Sequence, residues 1–356
     1  MKNKKVSSVT KNEWITYAIV IVLYIICEIM IKTGVMSSHM KGLLVPICYY
    51  AIVAVGLNLC VGILGELSLG HAGFMCVGAY SSALFSFTMQ DTMPTAPRFF
   101  IAFIIGIAVS ALFGFLIGIP VLRLNGDYLA IVTLAFGEII KNVFNAIYLG
   151  IDGSGVHFSL KDMMSMGMDL ATGKIIINGA QGITGTPSNS NFTIAVIVLL
   201  LSIAVVQNLV HSRDGRAVMA IRDNRIAAES NGINITKYKM LAFTISAAIA
   251  GAAGVLFSHN ISTLTASSQY FGYNMSIMIL VYVVLGGIGN IRGSVIAAAI
   301  LYLLPELLRG LSDYRMLIYS IVLIAVMLLN WAPGARKFRT QKMQEIQTFI
   351  GRRREK

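Results

Sequence analysis

Residues 99–122 read FFIAFIIGIAVSALFGFLIGIPVL, without one charged side chain. As a helix rising about 1.5 Å per residue, such a run is longer than the roughly 30 Å hydrocarbon core of a bilayer. Comparable apolar runs occupy 14–31, 43–62, 68–87, 127–149, 192–210, 240–258, 274–288, 293–309 and 314–331. Together they predict an all-α, polytopic transmembrane helical bundle of about ten membrane segments. The 274–288 run is short and the 68–87 run is rich in glycine, so some segments are expected to be discontinuous. Composition agrees: 56% of the 356 residues are hydrophobic, 12% are charged, and mean hydropathy is +0.75. Lipid must withdraw most of such a chain from water.

Charge placement orients the bundle. With the first span running outward, twenty of the twenty-eight Lys and Arg residues fall on the inner side and seven on the outer, with Lys141 inside a span. Basic residues collect on the cytosolic side, so both termini are expected in the cytosol. The resulting organisation is a cytosolic tail 1–13, a transmembrane domain 14–335 and a basic cytosolic tail 336–356. The domain carries an outer loop, 150–191, and an inner loop, 211–239. The net charge of +12 and the cluster Arg352-Arg353-Arg354 invite a nucleic-acid reading. Eighteen of the basic residues lie in the two tails and the inner loop, against an anionic leaflet. The partner read from them is the lipid bilayer, not nucleic acid. Cys27, Cys48, Cys60 and Cys76 sit in apolar spans without CxxC spacing, as small core hydrophobes rather than metal ligands. A basic region followed by a long apolar one, with no A-x-A-like site before Lys32, reads as an uncleaved first helix.

Two glycine clusters stand out. Residues 62–80, GILGELSLGHAGFMCVGAY, contain Ser68, Gly70, His71 and Gly73, and residues 285–293, LGGIGNIRG, contain Gly286, Gly287, Gly289 and Asn290. Interrupted segments in corresponding positions point to a translocation pathway, and these eight residues are its candidates. Close helix packing explains the same glycines, so both readings stand. Ionisable residues at membrane depth need partners or a role. Glu138 with Lys141, and Glu306 with Arg309, are three apart and suit pairs on one helix face. Glu66 lies near an inner end, within reach of water or as part of a proton relay; His71 suits packing or a ligand.

No nucleophile–base set, metal set or cofactor motif suggests an enzyme. The single Gly-Lys pair, Gly173-Lys174, has Met168 at the first glycine position of a P-loop and Ile175 after the lysine, so this chain does not hydrolyse ATP. An ion gradient or a separate ATPase must drive any active transport. The polar segment GRAVMAIRDNRIAAESNGINITKYK, 215–239, bears on that choice. Asp223 or Asn224 suits a cap for a short helix, Ile226–Asn231, and Gly232 suits a left-handed stop. Small Ala227 and Ala228 would allow close approach to another protein, while Arg222, Arg225 and Glu229 offer charge-assisted contacts. The alternative is an ordinary surface loop.

That loop, with KMLAFTISAAIAGAAGVLFS after it, resembles the EAA-type coupling loop of ABC importer permeases. In order, GELSLGHAGFMCVGAY, LRLNGDYLAIVTLAFGEIIK, VVLGGIGNIRGS and LPELL followed by YRMLIYSIVLIAVMLL resemble the branched-chain amino-acid permeases of the LivM type, over roughly residues 43–335. Asn125 departs from a frequently basic position, Ala227-Ala228-Glu229 lacks a leading acid, and 150–177 is an extra outer segment before NGAQGITGTP. The resemblance implies a prokaryotic inner-membrane permease subunit without a cofactor. It would pair with a LivH-type permease and work with two cytosolic ATPases and an extracytoplasmic binding protein for leucine, isoleucine and valine. It also implies a coupling role for Arg216, Arg222, Ala227, Ala228, Glu229 and Gly232. Urea and short-amide permeases have similar motifs. A gradient-driven carrier, with an ion site near Glu66 or Glu138, is the rival of another class.

Overall fold

The computed structural model describes residues 2–331 apart from 125, 154, 169–172, 309 and 311–313; the tail 336–356, Asn125 and Arg309 lie outside the described residues. In chain order, α1 is Lys2–Lys32 and α2 is Ser38–Asn58, which continues into a π-helical segment Leu59–Leu64. Then come α3 (His71–Thr88), α4 (Thr95–Val121) and α5 (Asp127–Ala146). Strands β1 (Tyr148–Asp152), β2 (Gly155–Ser159), β3 (Lys174–Asn178) and β4 (Ile183–Thr184) precede α6 (Phe192–His211), α7 (Arg213–Asp223), α8 (Arg225–Ser230) and α9 (Ile235–Ser258). Strand β5 (Thr263–Leu264) leads to α10 (Ser268–Phe271), α11 (Tyr273–Gly286), α12 (Ile291–Leu307) and α13 (Arg315–Trp331).

Among the described residues, seven stretches are long and apolar enough to cross a membrane: Trp14–Lys32, Ser38–Leu64, Thr95–Val121, Asp127–Ala146, Phe192–His211, Ile235–Ser258 and Ser268–Gly286. Helices α3, α12 and α13 stand over the other three expected spans but are shorter, with 18, 17 and 17 residues. Protein encloses α3, so it carries buried His71, Ser82 and Ser86 that lipid would penalise. The lipid-type surface lies elsewhere. Helix α4 turns Phe100, Ile104, Leu112, Phe115 and Leu116 outward, and α1 does the same with Val22, Leu23, Ile26 and Ile29. Residues from Ile300 onward form a separate compact unit, in which α13 exposes Leu317, Ile321, Ile324 and Leu328 along one stripe.

The expected all-α chain also holds two small antiparallel sheets, ordered β2-β1-β3 and β4-β5. The expected span 127–149 accordingly ends early, because Ile147 is extended and the chain enters β1. Ile-rich KIIIN in β3 pairs with YLGID in β1, where β-branched side chains favour the pleat. Ile183 pairs with Leu264, tying the two halves of the chain together.

The first unit is centred on α3, α4 and α9. Helix α4 buries Ala102, Gly106, Ser110, Gly114 and Gly118, one small residue every four. That spacing lets helix backbones approach closely. A Cβ on Gly78 would lie 2.6 Å from Gly251 Cα, and one on Gly254 would lie 2.8 Å from the Ala79 amide nitrogen. Ser110 Oγ lies 3.0 Å from Phe74 O and 2.8 Å from Ala247 O, so one α4 hydroxyl serves both neighbours.

Connections gather at two ends of this unit. One end holds the sheets, with Asn145 Nδ2 donating to Ala266 O at 2.9 Å, Lys174 pairing with Asp91 at 3.2 Å and His259 Nε2 3.1 Å from Ser86 Oγ. Burial pushes the His259 imidazole down to about 4, and the Arg98 charge adds to that. The other end holds the break after Leu64, helices α7 and α8, and the 287–290 turn.

Gly251→Leu would drive a branched side chain into Ser110, 2.7 Å from the glycine's Cβ position at Oγ, and overpacking of this kind costs about 1–3 kcal/mol. We expect a lower melting temperature for the detergent-purified variant. Gly42→Leu, with nothing within 4 Å, should melt as the parent does; equal melting of both would refute the close-packed arrangement.

Candidate functional site

The polar segment after α6 folds as three capped helices. Ser212 Oγ accepts from Gly215 N at 3.0 Å, Asn224 Oδ1 from Ala227 N at 3.0 Å and Asn234 Oδ1 from Lys237 N at 3.0 Å. Each is a side chain favoured at a helix start. Helix α8 ends in a Schellman motif: Gly232, at φ +79°, donates to Glu229 O at 2.9 Å, and Ile233 N donates to Ala228 O at 3.1 Å. Its accompanying apolar contact is present, since Ile233 packs on the cluster of Ile221, Ala228 and Ile235.

The expected cap at Asn224 and stop at Gly232 are therefore in place, but the side chains are distributed differently from expectation. Ala228 is buried in the small core that this segment forms with Ile221 and Ile235 and does not offer its methyl outward. Arg216 Nη1 donates to His211 O at 3.1 Å, closing the end of α6. The outward face carries Arg225, Ile226, Ala227 and Glu229, with Ile226 78% exposed. Ile226 escaped the sequence reading because an isoleucine beside alanines reads as core.

The first glycine cluster is a broken helix. The π-helical segment stops at Gly65, φ +82°, and Glu66 N reaches back to Cys60 O at 3.1 Å. Residues 65–70 are non-helical before α3 begins. Leu69 N donates to Thr133 Oγ1 at 2.9 Å, and a Cβ on Gly70 would lie 2.6 Å from Thr133 O. A Cβ on Gly73 would lie 2.7 Å from Gly137 Cα. His71 is buried, with Nδ1 3.2 Å from Ser68 Oγ and Nε2 2.6 Å from Ser246 Oγ, while Ser246 Oγ donates to Gly56 O at 2.5 Å. If Ser246 donates to Gly56, His71 carries its proton on Nε2 and accepts from Ser68 on Nδ1. The imidazole is a satisfied tie between α2, α3 and α9.

The second cluster meets a different part of the chain. Gly287 and Gly289 have φ +97° and +80°. Gly289 N donates to Asn58 Oδ1 at 2.8 Å, and Asn58 Nδ2 donates to Ser294 Oγ at 2.9 Å. Asn290 N donates to Gly287 O at 2.9 Å, and Gly286 packs on Gly293. Gly289 thus faces the π-helical segment, where a Cβ on Gly62 would lie 2.6 Å from Gly289 Cα. Gly70 and Gly73 face α5 instead, and His71, with Ser68 on its other nitrogen, faces α9. The two clusters connect through residues 56–62 of the intervening helix. A cleft of about 240 Å³ opens beside Gly62, Gly289, Asn290, Arg222 and Arg292. Another, of about 440 Å³, lies beside Gly65, Glu66, Asp127, Arg225 and Lys239.

Charges find partners as well. Glu138 and Lys141 pair on one face of α5 as spaced, and Lys141 Nζ also donates to Ser268 Oγ at 3.0 Å. Glu66 pairs with Lys239, which the sequence separates by 173 positions. Asn58, Thr133, Ser246, Ser294 and Lys239 act through partners distant in sequence, which no local spacing reveals. The one available signal was Asn58, an amide within an otherwise apolar run.

A model of the family described as branched-chain amino acid transport system / permease component matches residues 40–329. The chain belongs to this permease family. It is 35% identical over 296 residues to the high-affinity branched-chain amino acid transport system permease protein LivM of Salmonella typhimurium, covering 80% of this chain and 66% of that protein. Identity to the LivM protein of Escherichia coli K12 is 34% over 297 residues, with the same coverages. The LivH protein of S. typhimurium is 25% identical over 286 residues, 79% of this chain and 89% of its own. The chain therefore spans just under two thirds of the length of the LivM relatives. No solved structure matches it.

At Gly232 nothing lies within 4 Å of an added Cβ, so a substitution there meets conformational strain alone, about 1–2 kcal/mol for a left-handed L-residue. Gly232→Val should speed amide exchange across residues 225–233, and Gly232→Asn should recover part of the protection. Exchange insensitive to both would show that the left-handed cap does not hold α8 in place.

Proposed function

We propose that this permease is the membrane-spanning subunit of an ATP-driven ABC importer for branched-chain amino acids. On this reading a second, LivH-type permease completes the pathway, two cytosolic ATPases supply energy and an extracytoplasmic protein delivers substrate. The chain crosses a prokaryotic cell membrane about ten times with both termini in the cytosol. It is a transport subunit and no enzyme itself. The observation that carries the proposal is the capped handle 212–234. It packs on a small apolar core of its own, its outward face holds Arg225, Ile226, Ala227 and Glu229, and the chain passes from it through the turn 231–234 into α9, the helix packed against α3 and α4. A channel or a solitary carrier has no use for such a projection. That LivM and LivH relatives are branched-chain amino acid permeases supports the substrate class.

Switching between inward- and outward-facing states follows from differential binding. ATPases that dock differently with and without ATP bias the handle's position, and the bundle follows. The glycine clusters are the proposed pathway, because helices with so little between them slide only when the contact surface stays small.

In proteoliposomes holding all subunits, L-leucine uptake should require ATP and the binding protein, while urea should not accumulate. Uptake by this chain alone on an ion gradient would overturn the proposal. Ile226→Asp should abolish co-purification of the ATPases without lowering the melting temperature, since Ile226 is largely exposed. A cysteine at Ser188 in a background without native cysteines should react with an impermeant thiol reagent from outside; reaction only from the cytosolic side would reverse the topology.

A further inference from the structure

The handle touches the membrane-embedded part through more than its continuation into α9. Arg222, in the last turn of α7, directs its side chain away from the handle. Nη1 donates to Gly62 O at 3.0 Å, while Nε and Nη2 donate to Asp223 Oδ1 at 3.0 and 2.8 Å. Its stem fills the space over Gly65, where an added Cβ would lie 2.6 Å from Arg222 Cγ. Lys239, in the first turns of α9, is buried and pairs with Glu66. The helices flanking α8 therefore each send a cation to one short stretch, Gly62–Glu66.

That stretch is irregular backbone. It comprises the end of a π-helical segment, a rare form that concentrates at functional positions, and the start of the non-helical residues 65–70. The last carbonyls of a helix lack intrahelical partners and carry partial negative charge. Arg222 satisfies one of them. From the opposite side Asn58 pins Gly289 and Ser294.

We propose that Arg222 and Lys239 are positioning residues that latch the coupling handle onto the π-helical end of α2. Movement of the handle is then delivered directly to residues 59–70, and through Asn58 to the 287–290 turn, so both glycine clusters answer to one lever. This rests on the permease reading above and adds to it the part that moves.

Hydrogen exchange on the full chain in detergent tests the latch without any partner. Removing a charge-assisted hydrogen bond from Arg222→Ala, or the ion pair from Lys239→Gln, should speed exchange in residues 59–70 about tenfold, while residues 225–233 keep their protection. Arg222→Lys, which retains one donor for Gly62 O, should restore part of it. In the reconstituted complex, Arg222→Ala should still bind the ATPases and hydrolyse ATP but lose most L-leucine uptake. The exchanged pair Glu66→Lys with Lys239→Glu should recover uptake that either single change abolishes. Unchanged exchange at 59–70, or faster exchange with wild-type uptake, would overturn the latch. Failure of the wild-type complex to take up L-leucine would count against the permease reading instead, leaving the exchange result to decide whether the contact holds.

Discussion

Close backbone approach among α3, α4 and α9 is the constraint on which the rest depends. Lipid offers helices little hydrophobic reason to associate, so contact area and interhelical hydrogen bonds must hold them. Gly78 against Gly251, Gly254 against Met75 and Ala79, and the stripe Ala102–Gly118 provide that area. Ser110, Ser82 and Ser246 add hydroxyl bridges to neighbouring helices. Because α9 is both the central packing helix and the continuation of the handle, any displacement of the handle is felt by the whole unit. Large side chains at these contacts would separate the helices.

Much of the architecture was legible in the sequence because lipid demands long apolar runs, and each expected run does contain a helix. The small sheets were not, since KIIIN and YLGID lie in a stretch read as helix end and loop. The pairing that makes them strands joins Tyr148 to Asn178, thirty positions apart. The small-residue stripe of α4 was hidden inside the apolar run of 99–122, where glycine and serine barely disturb hydropathy.

For the candidate site, local chemistry was readable and long-range chemistry was not. Asn224 and Gly232 act within a few residues of themselves, so their roles followed from sequence. Which face of α8 turns inward depends on Ile221 and Ile235, beyond its ends, so Ala228 and Ile226 exchanged their expected places. Glu66 had no visible partner because Lys239 comes from the other half of the chain. The two glycine clusters did prove to be backbone breaks, with Gly65 in the first and Gly287 and Gly289 in the second at positive φ. They meet through an asparagine that no spacing rule identified.

Helix α8 has only six residues, fewer than the roughly 12–15 below which an isolated helix is marginal in water. Its order is borrowed from Ile221, Ile233 and Ile235 in the adjoining elements. A peptide copied from this loop would be a poor mimic of the surface that it forms in the protein. The same dependence makes the projection a local thermometer of its supports: if the ends of α7 and α9 part, the outward face dissolves with them. A partner that binds only the ordered face would thereby distinguish an assembled bundle from a loosened one before engaging it.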